Sequence, residues 1–349
     1  MKKSVNIFGV ISVLMLTLAL AGTLVISNGT AMAAGDVIKW RCQSHWPSAS
    51  PSYKGSLLVI VNKLKDRTNG RFIVEPFPAG SLVPSKEIHK ATKRGMIEMG
   101  GTSTAYTRAQ VPLSGIGAGL PYSFRAAWEA FYFYKSVGYE KAMEDAFAKH
   151  GLLFFTDKIY PTQLVLKKPV RTFKDFKGLK LRSSGTLQIF FTSIGAAASY
   201  LPGAEVYPAL ASGVVEGAHW GAAQGANKMG FYDICKYHLM PSFVVAGTDI
   251  WVINKKAFDK LPEDIQKALT QTLDEHVWLR SNQYIYQEAT TLARVQKEKG
   301  VKVITLPPEE QQKMTRAAVE LWDKEAKKDP EYAKWIEKMK EFLRSLGYI

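Results

Sequence analysis

Arg182 is the side chain of this sequence best suited to hold an organic anion. It ends the short segment 177–182, which is typical of a strand, and the small residues Ser183, Ser184 and Gly185 follow it. A guanidinium presents a planar fork of N–H donors that matches the two oxygens of a carboxylate, and a lysine ammonium does not. We predict a carboxylate clamp at Arg182, with a surface salt bridge as the alternative.

Further side chains able to contact a ligand follow the glycine-bounded turn that leads to Trp220. This tryptophan offers a flat apolar wall with one N–H donor, and the adjacent His219 offers two ring nitrogens. Gln224 and Asn227 come next, in what should be the first turn of a helix, where their amides either contact a ligand or cap the helix. Core packing is the alternative for Trp220, and a structural hydrogen bond is the alternative for His219.

The elements that must position these residues alternate between strand and helix, which is typical of a parallel α/β sheet. Strands are predicted at 37–42, 71–77, 96–100, 152–156, 163–167, 179–182, 199–201 and 244–254. Helices are predicted at 52–68, with Ser52 as the N-cap, at 85–94, at 186–194 and, unusually long, from 262 to about 299. The charged tail 308–349 is predicted to be a helical, solvated layer, with a homodimer contact as the alternative.

The pattern of strands and helices restarts near residue 152, which predicts two α/β lobes that open and close about hinge strands. We assign residues 34–157 and about 246–290 to lobe I. Residues 158–245 and about 291–349, with the C-terminal helices, form lobe II.

The first 33 residues have the pattern of a secretory signal peptide. Lys2 and Lys3 precede an apolar run at 7–26, and Ala31-Met32-Ala33 fits the cleavage site. An uncleaved anchor is the alternative, since about 20 apolar residues can span a bilayer. We therefore predict export to the periplasm.

Composition narrows the choice of partner. The net charge of +15 favours anions, but the basic residues are spread along the chain without a nucleic-acid-binding motif, and the export signal leads away from nucleic acid. We predict no nucleic-acid partner. Cys42 and Cys235 are expected to be two buried thiols, with a disulfide between them as the alternative.

The sequence offers little support for catalysis. Segment 101–105 approaches a nucleophile-elbow pattern around Ser103, but its last position is alanine and no ordered acid and histidine partners can be assigned. We expect Ser103 to line a pocket at the end of a strand. The histidines lack the spacing of metal ligands, so no metal site and no cofactor are predicted.

Seven segments, taken in order, resemble the DctP family, the solute-binding proteins of tripartite ATP-independent periplasmic (TRAP) transporters. Each is weak alone, and together they span nearly the whole chain after the signal. They are 46–51, 68–81, 93–99, 177–182, 205–210, 230–237 and 252–258.

The resemblance implies a two-domain periplasmic binding protein fold, in which a long helix braces both lobes, and a membrane permease as partner. In family members similar to the 2-oxo-acid binders, a glutamate before the tryptophan helps to hold a bound cation. His219 stands at that position here, and an imidazole lacks the anionic oxygen that sodium or calcium prefers. Tryptophan at position 220 resembles the branch that takes monocarboxylates.

Trp46, Tyr160 and Gln163 are further candidates to contact the ligand, as are Tyr122 and Trp251, although for each of them taken alone a place in the core is the favoured alternative. This aromatic group predicts a ligand with an apolar body behind its carboxylate. No second arginine matches Arg182, which disfavours dicarboxylates. We predict a TRAP receptor for a 2-oxo, 2-hydroxy or aromatic monocarboxylate. The alternatives are a receptor of an ABC importer, a periplasmic hydrolase using Ser103, and an envelope protein that binds no small ligand.

Overall fold

The computed structural model describes residues 37–349, and the predicted signal peptide, residues 1–33, lies outside them. Within these residues, 38–349 form one compact unit. The strands are β1 (Ile38–Ser44), β2 (Phe72–Phe77), β3 (Met99–Ser103), β4 (Leu152–Leu166), β5 (Lys180–Arg182), β6 (Ala197–Ser199), β7 (Gly217–Trp220), β8 (Tyr237–Asn254) and β9 (Lys302–Thr305).

The strands form one mixed sheet with the order β2-β1-β3-β8-β4-β7-β5-β6, and β9 pairs with β8. β1 is parallel to β2 and β3, and β5 is parallel to β6 and β7. The predicted parallel pairing is therefore confirmed for the two outer groups. The centre is antiparallel because the long strands β4 and β8 run in opposite directions between the groups.

β4 and β8 belong to both halves of the molecule. One end of β8 pairs with β3, and its other end pairs with β9, while the second half of β4 pairs with β7. The pairing of β4 with β8 shifts in register between Thr156 and Leu164. Irregular pairing of this kind bends a strand, so the two sheet halves are angled where the lobes meet. The residue limits of the two lobes remain a prediction.

The helices lie around the sheet, and several are a single turn long. They are α1 (Leu58–Arg67), α2 (Ile88–Lys93), α3 (Thr104–Thr107), α4 (Ser114–Gly117), α5 (Ala127–Lys135), α6 (Tyr139–Ala148), α7 (Gly185–Ser193), α8 (Val206–Ser212), α9 (Ala222–Lys228), α10 (Phe231–Ile234), α11 (Lys255–Phe258), α12 (Glu263–Lys299), α13 (Pro308–Ala326) and α14 (Pro330–Ser345). The predicted cap at Ser52 is wrong, because a π-helical turn, Tyr53–Leu57, precedes α1 and Ser52 makes no side-chain cap.

The 37-residue helix α12 confirms the predicted long helix. Near its start, Leu269 and Leu273 pack in the core cluster that contains Trp40 of β1. Near its end, Val295 packs with Val165 of β4. One rigid element therefore braces both halves of the sheet.

The C-terminal tail is more buried than predicted. α13 and α14 each turn an apolar stripe inwards, and Trp322 and Trp335 join the largest core cluster. Apolar residues spaced three and four apart produce this stripe, while the charged residues between them stay on the outer face.

Cys42 and Cys235 are both buried and unpaired, which confirms the expectation of two thiols. Burial raises the pKa of Cys235 to about 12. Within the described part of the chain, no helix has both the length and the apolar character needed to cross a bilayer.

Candidate ligand-binding site

A cavity of about 90 Å³ opens beside the irregular stretch of β4 and β8. Its walls come from the first loop after β1, from β4, from the ends of β5 and β7, and from α12. The side chains that decide its chemistry are Trp46, Lys158, Tyr160, Arg182, Trp220 and Asp249.

Arg182 is the last residue of β5, and only 3% of it is exposed. Its Nε donates to the carbonyl oxygen of Leu201 at 3.1 Å, and its Nη1 donates to that of His219 at 2.9 Å. The guanidinium carbon lies 5.0 Å from the ring centroid of Trp220, a favourable cation–π distance. No described carboxylate lies within ion-pair distance of it, and Nη2 donates to none of the described residues.

The position of Trp220 depends on two glycines. A Cβ atom at Gly203 would lie 2.8 Å from the indole, and one at Gly225 would lie 3.0 Å from it. Phe231 contacts the ring edge-on at 5.3 Å. Because a side chain at either glycine would displace the indole, the local sequence holds Trp220 against Arg182.

His219 is a neutral member of the site. Its Nδ1 lies 3.0 Å from the hydroxyl oxygen of Ser183. Burial lowers the pKa of His219 to about 3, and the neighbouring Arg182 guanidinium contributes. At neutral pH the imidazole therefore offers hydrogen bonds but no charge.

The opposite wall holds a buried cluster of charges on β4 and β8. The Nζ of Lys158, a residue only 1% exposed, lies 3.0 Å from Oδ2 of Asp157 and 2.5 Å from Oδ2 of Asp249. Behind it, Arg280 of α12 donates to the Ser56 hydroxyl, which donates to Asp157. The two cations and two carboxylates balance one another, and we call this group the lysine network.

Asp249 anchors the aromatic wall of the cavity. Trp46 donates its indole N–H to Oδ2 at 3.1 Å, and Tyr160 donates its hydroxyl to Oδ1 at 3.1 Å. His45 Nε2 lies 3.3 Å from Oδ1. Although burial opposes it, the charge of Lys158, aided by His45, lowers the pKa of Asp249 to about 2. The Asp249 carboxylate is therefore ionised, and each of its two oxygens already accepts a hydrogen bond.

A third buried acid, Glu288 of α12, sits behind the cavity. Its carboxylate accepts hydrogen bonds from the backbone N–H groups of Ala223 and Gln224, at the start of α9. Burial raises the pKa of Glu288 to about 7, because these two dipoles offset only part of the lost hydration.

An aromatic contact extends outwards from Tyr106, which lines the cavity. Tyr200, which follows β6, packs edge-on against Tyr106 of α3 with ring centroids 5.9 Å apart. The ammonium of Lys86 lies 3.3 Å from the centroid of the Tyr200 ring. Burial lowers the pKa of Lys86, and Arg182 adds to the effect.

The structure brings six of the eight predicted binding residues to the cavity, namely Arg182, His219, Trp220, Tyr160, Trp46 and Ser103. Two predicted residues lie elsewhere. Gln163 donates to the Ser242 hydroxyl at 3.0 Å, and the Gln224 amide lies 3.5 Å from the Tyr284 carbonyl oxygen.

Three weaker candidates also lie outside the cavity. Trp251 belongs to the core cluster of lobe I, and Tyr122 packs against the largest core cluster. Asn227 lines a separate groove. Ser103 caps α3 by accepting from the Ala105 N–H at 3.3 Å, and no described histidine is bonded to it. This geometry does not support a role for Ser103 as a nucleophile.

The sequence reasoning missed Lys158, Asp249 and the aromatic contact of Tyr106 with Tyr200. A signal was present for Asp249, because this charged residue interrupts a largely apolar strand segment. Lys158 also lies two residues from Tyr160, so both side chains face the same side of β4.

The model of the bacterial extracellular solute-binding proteins, family 7, matches residues 43–329 of the chain. A monocarboxylate 2-oxoacid-binding periplasmic protein from a Nostoc species is 25% identical over 324 residues. The aligned part is 92% of this chain and 88% of that relative.

Two solved structures share the fold, each with a TM-score of 0.83. A TRAP solute-binding protein from Bordetella bronchiseptica is 22% identical, with 89% of this chain and 93% of that one covered; it is a dimer with calcium and picolinate. A TRAP solute-binding protein from Pseudoalteromonas atlantica is 24% identical, with 89% and 95% covered, and holds sodium and pyruvate.

Proposed function

Because the chain belongs to family 7 of the bacterial extracellular solute-binding proteins, we propose that it is the periplasmic receptor of a TRAP transporter. Its ligand is a small organic monocarboxylate, of the 2-oxo, 2-hydroxy or aromatic class. The protein captures this acid and delivers it to the membrane permease, without catalysing a reaction on it.

The observation that carries the proposal is the buried Arg182 guanidinium, beside which none of residues 37–349 places a carboxylate. A buried charge without a partner is costly, because it has lost its hydration and gained nothing in exchange. An incoming carboxylate supplies the missing negative charge and accepts the N–H donors that the protein leaves free.

The size and walls of the cavity support a small acid with one carboxylate. Arg182 is the one arginine among the described residues that line it, and the positive charge of Lys158 is balanced by Asp157 and Asp249. Trp220, Trp46 and Tyr160 surround the remaining space with ring faces and edges, which suit a short apolar body. The relative from Nostoc is described as a binder of monocarboxylate 2-oxoacids, which supports this class.

Binding proceeds by capture and closure. The carboxylate pairs with Arg182 while the lobes are apart, and their approach then removes water from the pair. The pair is less screened in the closed state, so the ligand favours closure. The closed protein is the form that docks on the permease. A homodimer remains a prediction for this chain.

Replacing Arg182 tests the proposal by calorimetry with pyruvate and picolinate as titrants. Arg182→Ala removes a charge-assisted contact worth roughly 3 kcal/mol, so the affinity should fall about 100-fold. Arg182→Lys keeps the charge but loses the fork, and should recover only part of the affinity. Arg171→Ala, which removes an exposed arginine, is the matched control and should leave binding unchanged. Wild-type affinity in Arg182→Ala would contradict the clamp.

A further inference from the structure

The described residues do not offer a metal ion a place beside Arg182. No group of three histidine, cysteine, aspartate or glutamate side chains among them could hold one. Asp249 is the one carboxylate that lines the cavity, and both of its oxygens already accept hydrogen bonds, from Lys158, Trp46 and Tyr160. The neutral His219 supplies no anionic oxygen. The two similar structures contain calcium with picolinate and sodium with pyruvate. The described residues of this cavity, by contrast, leave no carboxylate oxygen free to bind such an ion.

The β4–β8 wall of the cavity nevertheless contains a cation, the ammonium group of Lys158. The Oδ2 atoms of Asp157 and Asp249 converge on one point, and the Nζ of Lys158 occupies that point, at 3.0 and 2.5 Å from them. Two converging carboxylates are the usual core of a site for a hard cation. Here the amino group takes that place, and its stem belongs to the strand that lines the cavity.

The surroundings hold the ammonium in place. It lies 4.5 Å from the ring centroid of Trp46 and 4.9 Å from that of Tyr160, within cation–π range. Asp157 is itself held by the Ser56 hydroxyl at 3.0 Å and lies 3.2 Å from His276 Nε2. Each carboxylate thus has partners besides the lysine, so the pair remains in place around it.

We infer that Lys158 is a built-in cation of this pocket and that the chain binds its small organic acid without a metal ion. The inference rests on the proposed function and deepens it. Lys158 and Arg280 together balance the two carboxylates behind the aromatic wall, and Lys158 is the member of this pair that lines the cavity. The anion therefore meets Arg182 without net repulsion from Asp157 and Asp249. A neutral residue at position 158 leaves the network with one net negative charge beside the ligand.

The first test measures pyruvate and picolinate binding to the full chain with EDTA and choline in place of sodium, and again with added calcium or sodium. We expect dissociation constants that agree within about twofold across the buffers, since a tenfold change would signal a lost charge contact. A loss of tenfold or more on removing both metals would overturn the inference while leaving the receptor function intact. Failure of every carboxylate to bind in every buffer would instead overturn the proposed function.

The second test requires no organic ligand and follows the melting temperature in calcium. Wild-type protein should not respond, because the ammonium already occupies the point between the carboxylates. Lys158→Gln vacates that point, so calcium should raise the melting temperature of this variant by ligand linkage. Lys168→Gln removes an exposed lysine paired with Glu216 and is the matched control.

Each outcome of the second test supports or contradicts the inference that Lys158 takes the place of a metal ion. Calcium stabilisation of the wild-type protein would overturn the inference, and this readout stands even if Lys158→Gln fails to fold. A folded Lys158→Gln that calcium leaves unchanged would also contradict it. For folded Lys158→Gln in EDTA, we expect pyruvate affinity to fall by at least about tenfold.

Discussion

The two walls of the cavity differ in whether their buried cation has a counterion among the described residues. On the β4–β8 wall, Lys158 is bonded to two carboxylates, and each carboxylate has further partners. On the β5–β7 wall, the partners of Arg182 within the described part of the chain are two backbone carbonyl oxygens and the face of Trp220. The balanced wall is complete without a ligand, whereas the other lacks a negative charge. A buried cation alone is therefore a poor guide to a binding site, and the absence of its counterion is the better one.

The same contrast separates two buried carboxylates. The pKa of Asp249 is low although burial opposes the shift, because an ammonium lies 2.5 Å away. The pKa of Glu288 is raised by burial, because its partners are backbone N–H dipoles. A full charge offsets lost hydration and a pair of dipoles does so only in part.

The largest effect is expected from a substitution that breaks the lysine network. Asp249→Asn leaves Lys158 with one carboxylate, and should lower the free energy of unfolding by about 3–5 kcal/mol, as for other broken buried pairs. Chemical denaturation measures this loss. Asp259→Asn, which breaks an exposed pair with Lys255, should change stability by less than about 1 kcal/mol. Equal effects in the two variants would show that the network is not a tightly coupled unit.

An intermediate effect should come from Glu288 and depend on pH. Its folded-state pKa, about 7, exceeds the ordinary value of 4.5, so the folded protein binds the extra proton. Stability should fall as pH rises between these values, by roughly 2.5 kcal/mol from about pH 5 to pH 8. Unfolding of wild-type protein and Glu288→Gln across this range measures it, and the variant should lose the slope. A slope of unchanged size in Glu288→Gln would assign the titration to another group.

The smallest expected effect concerns Tyr200, which contacts Lys86 and Tyr106, a residue that lines the cavity. Tyr200→Ala removes an aromatic pair worth about 0.5–1.5 kcal/mol, so ligand release should quicken by up to about tenfold. Stopped-flow tryptophan fluorescence measures this rate. Tyr286→Ala, on the exposed face of α12, is the control and should release ligand at the wild-type rate. An unchanged rate in Tyr200→Ala would mean that the contact between Tyr200 and Tyr106 does not limit ligand release.

Side-chain direction explains why part of the site was predicted and part was not. Lys158 and Tyr160 both line the cavity, as alternation along β4 requires. The register shifts on either side of Thr162 interrupt that alternation, and Gln163, which pairs with Trp220 of β7, donates its amide to Ser242 and does not line the cavity. A candidate chosen by residue type alone takes no account of such irregular pairing. The prediction that Gln224 contacts the ligand was wrong for a related reason. Gly221 and Gly225 of the same segment line the cavity, whereas the Gln224 amide is directed towards α12.

Strands β1, β2, β5 and β8, the long helix and the family were predicted from the sequence itself, whereas helices α3 to α6 and strands β7 and β9 were not. Periodicity and glycine or proline boundaries act over a few residues, and the seven family segments are read in order along the chain. The resemblance also identified Arg182, His219 and Trp220, which lie on neighbouring strands.

Only the tertiary structure decided which buried charges are balanced. Lys158 and Asp249 are 91 positions apart in the chain, and nothing local to either predicts a distance of 2.5 Å. The energy of a charge depends on how close its partners and water lie, and those distances exist only once the long strands and the bracing helix have brought the two lobes together.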